Sequence, residues 1–255
     1  MTVAEKSAWK KTGRYAETID LCQRFEKIYP KFVKCVKFGT TPESRPMLAL
    51  EVSSSQAAKD TPTVYFQGGI HAGEIEGKDA GFLFLRQLLR GESPDVKLSW
   101  LQGLRLIFVP VLNIDGHERF SANNRPNQNG PEEMGWRVTS QNLNLNRDWL
   151  KADSLEMRQL LQYLIPKNPI LVIDLHTTDG ADFQPNISAI VAPSLRALAE
   201  PEPLRAAGER LQNQLVALLK KKGNLALPFY PDFIERDNPA SGIEAIPSPP
   251  RFSQA

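Results

Sequence analysis

Two of the chain's three histidines, His71 and His176, each follow an apolar run. His71 lies in the stretch GGIHAGEIEG, three residues before Glu74, and His176 closes the run VIDLH. Imidazole and carboxylate groups bind zinc, and three such ligands leave a fourth position for water, as in catalytic sites. The spacing therefore predicts a metal site formed by His71, Glu74 and His176. Glu76 is an alternative to Glu74, although its separation from His71 makes a poorer chelate.

Two further polar stretches contain residues that could do chemistry. NLNLNRDW, residues 142–149, is either a polar surface loop or a binding element, because an Arg beside an Asn suits two-pronged recognition of a carboxylate. The third histidine, His117, lies in the polar stretch DGHERF. We interpret it as a hydrogen-bonded core or surface residue rather than a ligand.

The elements that must position these residues alternate between strands and helices. This alternation, with nearly continuous apolar strands, predicts an α/β sheet that is covered on both faces. His71 and His176 then follow strands, and open α/β sheets build their sites at the carboxyl ends of strands. A proline-rich segment, 228–255, indicates a loop. The predicted strands are 32–38, 47–52, 63–70, 104–113, 170–176 and 187–192, and the predicted helices are 15–29, 77–90, 153–164 and 203–222.

The composition is that of an ordinary globular protein. The 255 residues suffice for one large domain or two small ones, and 24% are charged and 41% hydrophobic. With 31 basic and 29 acidic residues, the net charge of +2 predicts neither a nucleic acid nor a membrane as partner. No signal peptide or membrane span is evident, so the expected location is cytoplasmic. Cys22 and Cys35 favour two buried thiols, with a disulfide as the alternative.

The motifs HAGE, NLNRD and DLH, in that order, resemble those of the carboxypeptidase A/B-type zinc carboxypeptidases. The turn NIDG also resembles that family's Asn-Pro-Asp-Gly turn, with Ile114 in place of proline, and the resemblance covers roughly residues 15–192. It implies a mixed, mostly parallel central sheet with helices on both faces. It also implies a metalloprotease with one zinc ion per chain, which hydrolyses the C-terminal peptide bond of a peptide or protein.

The resemblance also implies roles for individual residues. The metal ligands are the same three residues that the spacing predicts. Asn146 and Arg147 would hold the C-terminal carboxylate of the substrate, and Arg137 would polarise the scissile carbonyl. Arg125 is a second candidate for the role of Arg137. Asn144 replaces the family's acid two residues before the Asn-Arg pair, and as a neutral acceptor it would orient the ring of the first histidine.

The family's general-base glutamate has no convincing counterpart. The resemblance places that glutamate on a late strand, between the strands that deliver the first and third metal ligands. Tyr230 is the only candidate for the family's late capping tyrosine. We therefore expect residues 1–255 to be a single domain that lacks its C-terminal strands and is inactive alone. The glutamates after the third ligand are Glu200, Glu202, Glu209, Glu235 and Glu244, of which Glu235 is the most plausible base.

Two alternatives to a carboxypeptidase remain open at the level of sequence. An aspartoacylase-like or succinylglutamate desuccinylase-like deacylase shares the metal triad and an Asn-Arg pair, and assays of N-acyl amino acids against peptides separate the two activities. The other alternative is a non-catalytic zinc or peptide-binding module, which would bind zinc without turnover.

Overall fold

The structure is a computed structural model that describes residues 1–54, 58, 60–178, 180, 183–191, 202–235 and 238–245. The chain divides into two compact units, Met1–Gly180 and Ala181–Ala255. Among the described residues, no helix has both the length and the apolar character needed to cross a membrane.

In the first unit, five of the described strands form one mixed sheet in the order β1-β2-β4-β3-β5. The pairs β1-β2 and β2-β4 are antiparallel, and β3 pairs in parallel with β4 on one side and β5 on the other. The mixed sheet that we predicted is thus confirmed. The strands are β1 (Val33–Thr40), β2 (Pro46–Val52), β3 (Thr63–Gln67), β4 (Arg105–Val109) and β5 (Leu171–Asp174).

The direct pairing of β3 with β5 corrects one expectation. The family resemblance places another strand between those that lead to His71 and His176, but in this chain Gln67 of β3 is the register partner of Asp174 of β5. The two histidines therefore follow neighbouring strands, and the site can form without an intervening strand.

Helices cover both faces of this sheet. Side chains alternate along each strand, so buried apolar side chains on each face pack against helices. Tyr65 and Ile107 face a core cluster with α5, whereas Phe66 and Phe108 face a second cluster with α2 and α3. Ser154 caps α5 by accepting from Met157 N, and α3 ends at Gly91 in the left-handed conformation. The helices are α1 (Val3–Lys6), α2 (Tyr15–Ile28), α3 (Glu76–Arg90), α4 (Ile114–Glu118) and α5 (Leu155–Leu164).

Two predictions about this unit were wrong. A disulfide joins Cys22 of α2 to Cys35 of β1, where we favoured two free thiols. The predicted NIDG turn is the start of α4, because the side chain of Asn113 accepts a hydrogen bond from Gly116 N and caps a short helix.

The second unit contains a long helix and short strands. Helix α6 (Glu202–Lys221) corresponds to the helix predicted at 203–222. Strands β6 (Ile187–Ser188) and β7 (Ala226–Leu227) pair in parallel. Strands β8 (Pro231–Phe233) and β9 (Ile243–Ala245) pair antiparallel, so two short strands lie within the segment 228–255 that we predicted as loop.

Candidate metal centre

The first two predicted ligands lie in the loop between β3 and α3. The strand ends at Gln67 because two glycines follow, and Gly69 has a φ of +60° that favours glycine. A Cβ on Gly68 would lie 2.8 Å from Lys78 N, so glycine allows the first turn of α3 to approach the strand end. Within this loop Glu74 N donates to His71 O (2.9 Å), and the resulting turn places both side chains on one side.

The third predicted ligand, His176, follows β5. The ladder between β3 and β5 continues past the strand end, because Leu175 N donates to Gln67 O (3.0 Å). Both histidines therefore emerge at the carboxyl ends of neighbouring parallel strands, where α/β sheets form their sites.

The three predicted ligands converge. The Glu74 carboxylate lies between the rings, with Oε1 2.9 Å from His71 Nδ1 and Oε2 2.8 Å from His176 Nδ1. One ligand atom of each residue lies within 4.8 Å of those of the other two. The side chains of His71 and Glu74 are 4% and 3% exposed, and that of His176 is 24% exposed. The cluster is thus reachable from one side, next to His176.

Burial and charge set the protonation of the three groups in opposite directions. Burial lowers the pKa of His71. Burial alone would raise the pKa of Glu74, but hydrogen bonds with His176 and His71 outweigh it, and the pKa of Glu74 lies below its ordinary value. Burial alone would lower the pKa of His176, but contacts with Asp174 and Glu74 raise the pKa of that ring to about 9. Glu74 is therefore an ionised donor at neutral pH.

These residues suit a zinc ion on chemical grounds. Two imidazole nitrogens and one ionised carboxylate oxygen lie within 4.8 Å of one another, and zinc is bound by such donors. Two guanidinium groups and a backbone N–H also contact Glu74, so the carboxylate is held in place by several donors.

Both arginine candidates reach this carboxylate. Arg125 Nη1 donates to Glu74 Oε1 (3.0 Å), and its Nη2 donates to Thr178 O (3.2 Å). Arg137 Nη1 lies 3.5 Å from the same Glu74 oxygen, at the limit of a hydrogen bond, and its side chain is 35% exposed. Arg125 is buried and bridges the two loops that carry the predicted ligands, whereas the side chain of Arg137 is more accessible.

Asn146 and Arg147 lie on a separate 3-10 helix, Leu145–Arg147. Leu145 anchors this helix in the same core cluster as Ile70, the residue before His71. Asn146 is buried, and no partner among the described residues accepts from its Nδ2. Arg147 is exposed, and its Nη1 donates to Asn146 O (3.2 Å).

The structure corrects the expectation for Asn144. Its side chain accepts from Asn146 N (3.0 Å) and caps the 3-10 helix, instead of orienting the first histidine. Across the part of the chain that the structure describes, no group is within hydrogen-bonding reach of His71 Nε2, which is buried.

Within the first unit, neither His117 nor Glu76 belongs to the cluster. His117 is a core residue: its Nε2 lies 3.2 Å from Gly13 O, and burial lowers its pKa to about 3. Glu76 begins α3 and is exposed. In the second unit, Tyr230 precedes β8, Glu235 follows it, and both Glu235 and Glu244 are exposed. Glu202 and Glu209 belong to α6, and Glu200 lies outside the described residues.

Sequence reasoning missed Asp174, which contacts the cluster, and Gln128, which contacts the backbone after His176. Asp174 Oδ2 lies 2.8 Å from His176 Nε2, and Gln128 Nε2 donates to Thr178 O. Asp174 had a detectable signal, because residues two apart on a strand lie on the same face. Gln128 had none, because its loop lies far from His176 in sequence.

The chain matches a known family over most of this unit. The sequence profile of the zinc carboxypeptidase family matches residues 18–179, which include all three predicted metal ligands. Carboxypeptidase D of Drosophila melanogaster is 29% identical over 168 residues, which are 63% of this chain and 12% of the fly protein. Carboxypeptidase A4 of Mus musculus is 31% identical over 98 residues, which are 38% of this chain and 23% of the mouse protein.

Solved structures show the same fold. The metallo-carboxypeptidase from Burkholderia cenocepacia superposes with a TM-score of 0.64 at 15% identity and covers 84% of this chain and 53% of its own. The metallo-carboxypeptidase from Pseudomonas aeruginosa, in complex with (2-guanidinoethylmercapto)succinic acid, superposes with a TM-score of 0.61 at 20% identity. This match covers 89% of this chain and 53% of the P. aeruginosa chain. The chain thus spans about half the length of these structures.

Proposed function

The chain belongs to the zinc carboxypeptidase family, and from this premise we propose that it binds one zinc ion and takes part in hydrolysis of the C-terminal peptide bond of peptides. The observation that carries the proposal is the convergence of His71, Glu74 and His176 at the carboxyl ends of two neighbouring strands. Because the chain spans only part of its relatives, the proposal concerns the activity of the whole protein to which these residues contribute.

A bound zinc ion supplies a Lewis acid that polarises a carbonyl and activates water. The ionised Glu74 and the neutral His71 are already in the protonation states that ligands require. Arg125 holds Glu74 and the backbone after His176 together, so it fixes the relative position of the two ligand-bearing loops.

Arg137 is suited to contact the reacting carbonyl. Its guanidinium lies 3.5 Å from Glu74, and its side chain is 35% exposed, so a substrate that approaches the cluster can reach it. A guanidinium held at that position stabilises the negative charge that develops on the carbonyl oxygen, which is commonly a large contribution to catalysis.

Asn146 and Arg147 are the proposed carboxylate-binding pair. The exposed guanidinium of Arg147 offers paired donors, and the buried Asn146 Nδ2 has no acceptor in the described residues. The P. aeruginosa metallo-carboxypeptidase is in complex with a succinic acid derivative, a molecule that carries carboxylates. The paired donors of Asn146 and Arg147 support a substrate whose C-terminus is a free acid.

The test is a comparison of three substrate types on the whole protein loaded with zinc. A peptide with a free C-terminal carboxylate should be shortened by one residue, whereas its amidated form and an N-acyl amino acid should react far more slowly. Removal of zinc by a chelator should abolish hydrolysis, and added zinc should restore it. Equal rates on the free-acid and amidated peptides, or preference for the N-acyl amino acid, would contradict the proposal.

A further inference from the structure

A line of polar side chains extends from His176 into the sheet. His176 Nε2 lies 2.8 Å from Asp174 Oδ2, and Gln67 Nε2 donates to Asp174 Oδ1 (3.0 Å). The hydroxyl of Tyr65 in turn donates to Gln67 Oε1. Tyr65 and Gln67 are fully buried, and Asp174 is partly buried.

The sheet itself dictates this arrangement. Tyr65 and Gln67 are two apart on β3, as Asp174 and His176 are on the neighbouring segment, so each pair lies on one face. The register pairs Gln67 with Asp174, which brings both pairs to the same face. The donors and acceptors also run in one direction: Tyr65 donates to Gln67, and Gln67 donates to Asp174, which keeps an oxygen for the imidazole.

His71 and His176 differ in the partner of the Nε2 atom. Asn144, which replaces the family's acid next to the first histidine, caps its own 3-10 helix. The buried Nε2 of His71 has no partner within the described ranges. Among the described residues, it is therefore the Nε2 of His176, and not that of His71, that contacts a carboxylate.

We infer that Asp174, held by Gln67 and Tyr65, is a positioning residue that orients His176 as a metal ligand and strengthens its binding of the ion. The inference rests on the proposed function. In the neutral ring that a metal ligand requires, a carboxylate that accepts from Nε2–H leaves the lone pair on Nδ1, which is the nitrogen that faces Glu74. It also increases the basicity of the ring, and loss of such a partner typically weakens metal affinity by roughly 10–100-fold.

The experiment measures zinc affinity by competition with a chromophoric chelator, with the whole protein and without any substrate. Asp174→Asn keeps an acceptor but removes the charge, so affinity should fall about 10-fold; Asp174→Ala removes both, so the loss should approach 100-fold. Gln67→Met should give a smaller loss, because Asp174 remains but is free to turn. Asp20→Asn, the same change at an exposed position of α2, is the control and should bind zinc as the wild type does.

Cobalt substitution supplies a readout that a general loss of stability would not change. The visible absorption bands of the cobalt-loaded protein should shift in Asp174→Asn, because the donor strength of His176 changes, and should stay constant in Asp20→Asn. Unchanged zinc affinity and an unchanged cobalt spectrum in both Asp174 variants would overturn the inference while leaving the proposed function intact. A wild-type protein that binds no zinc would overturn both.

Discussion

Glu74 is the residue that the other charged and titratable side chains of the site contact. Its two oxygens contact both imidazoles, the guanidinium groups of Arg125 and Arg137, and Thr177 N. A carboxylate with this many donors stays ionised and fixed in position. Replacement of either histidine would therefore leave the rest of the cluster in place but remove one of the three proposed metal ligands.

Zinc content should follow the two histidines of the cluster. His71→Ala and His176→Ala should each lose zinc, because a site with two remaining ligands binds the ion far more weakly. Elemental analysis of the purified proteins measures this. His117→Ala is the control: it should be less stable, since His117 is fully buried, but should retain about one zinc ion per chain. Equal zinc in all the variants would contradict the assignment.

Arg147 should govern binding of the substrate carboxylate. A paired, charge-assisted contact contributes roughly 1.5–3 kcal/mol, so Arg147→Ala should weaken affinity for free-acid peptides on the order of tenfold to a hundredfold. Affinity for amidated peptides should change little. Arg24→Ala, which removes an exposed arginine from α2, serves as the matched control. An equal effect of Arg147→Ala on both kinds of peptide would exclude a carboxylate clamp.

At the scale of elements, α1 is attached to α3 by an ion pair. Glu5 receives hydrogen bonds from both terminal nitrogens of Arg86, one of them at 2.7 Å. Glu5 also accepts from Thr2 N (2.8 Å), which completes the cap of α1. The contact with Arg86 is the largest cause of the low pKa of Glu5, which is about 2.

Stability should depend on this pair in a defined pH range. The folded-state pKa of Glu5 is lower than its ordinary value of 4.5, so the stabilisation is present above pH 4.5 and is lost as the pH falls toward about 2. Glu5→Gln should lower the free energy of unfolding by roughly 1–2 kcal/mol at pH 7, by about half as much at pH 3 and by little at pH 2. Denaturant titrations of the wild type and the variant at several pH values measure this loss.

The control for this prediction is Glu132→Gln. Its ion pair with Lys11 is exposed on both sides, and exposed pairs contribute little. A difference between Glu5→Gln and the wild type that stays constant from pH 7 to pH 3 would show that the charge of Glu5 is not the cause.

Helix and strand positions were predictable where local signals are strong. The apolar runs before His71 and His176 indicate strands. Glycine and proline residues at the ends of β3 and β4 explain why these two strands end earlier than predicted. Gly68 and Gly69 end β3, and Pro110 cannot donate to the ladder beyond β4. The convergence of His71, Glu74 and His176 was thus predictable from residue types, spacing and strand ends together.

The order of strands and the disulfide were not accessible in the same way. Adjacency of β3 and β5 depends on how distant segments pack, which no local pattern encodes. The same holds for Cys22 and Cys35, whose separation of 13 residues fits two thiols as well as a bridge. Asp174 was accessible in principle, because the period of a strand places it on the face of His176.

At the scale of the whole molecule, zinc should stabilise the fold. A ligand that binds only the folded state at 1,000 times its Kd adds about 4 kcal/mol to the free energy of unfolding. For a unit of this size that corresponds to a rise in Tm of roughly 8–16 °C. Calorimetry of the whole protein with zinc and with a chelator measures the shift. His71→Ala should show little or no shift, and an equal shift in that variant would place the stabilising ion elsewhere.

The pairing of Gln67 with Asp174 has a consequence for folding errors. Side chains alternate between the two faces of a strand, so a slip of β5 by one residue along β3 would turn His176 to the opposite face of the sheet. Such a misregistered molecule could keep most of its backbone hydrogen bonds yet present only His71 and Glu74 to a metal. Zinc binding would therefore favour molecules with the observed register over misregistered ones, because only the observed register brings all three proposed ligands together.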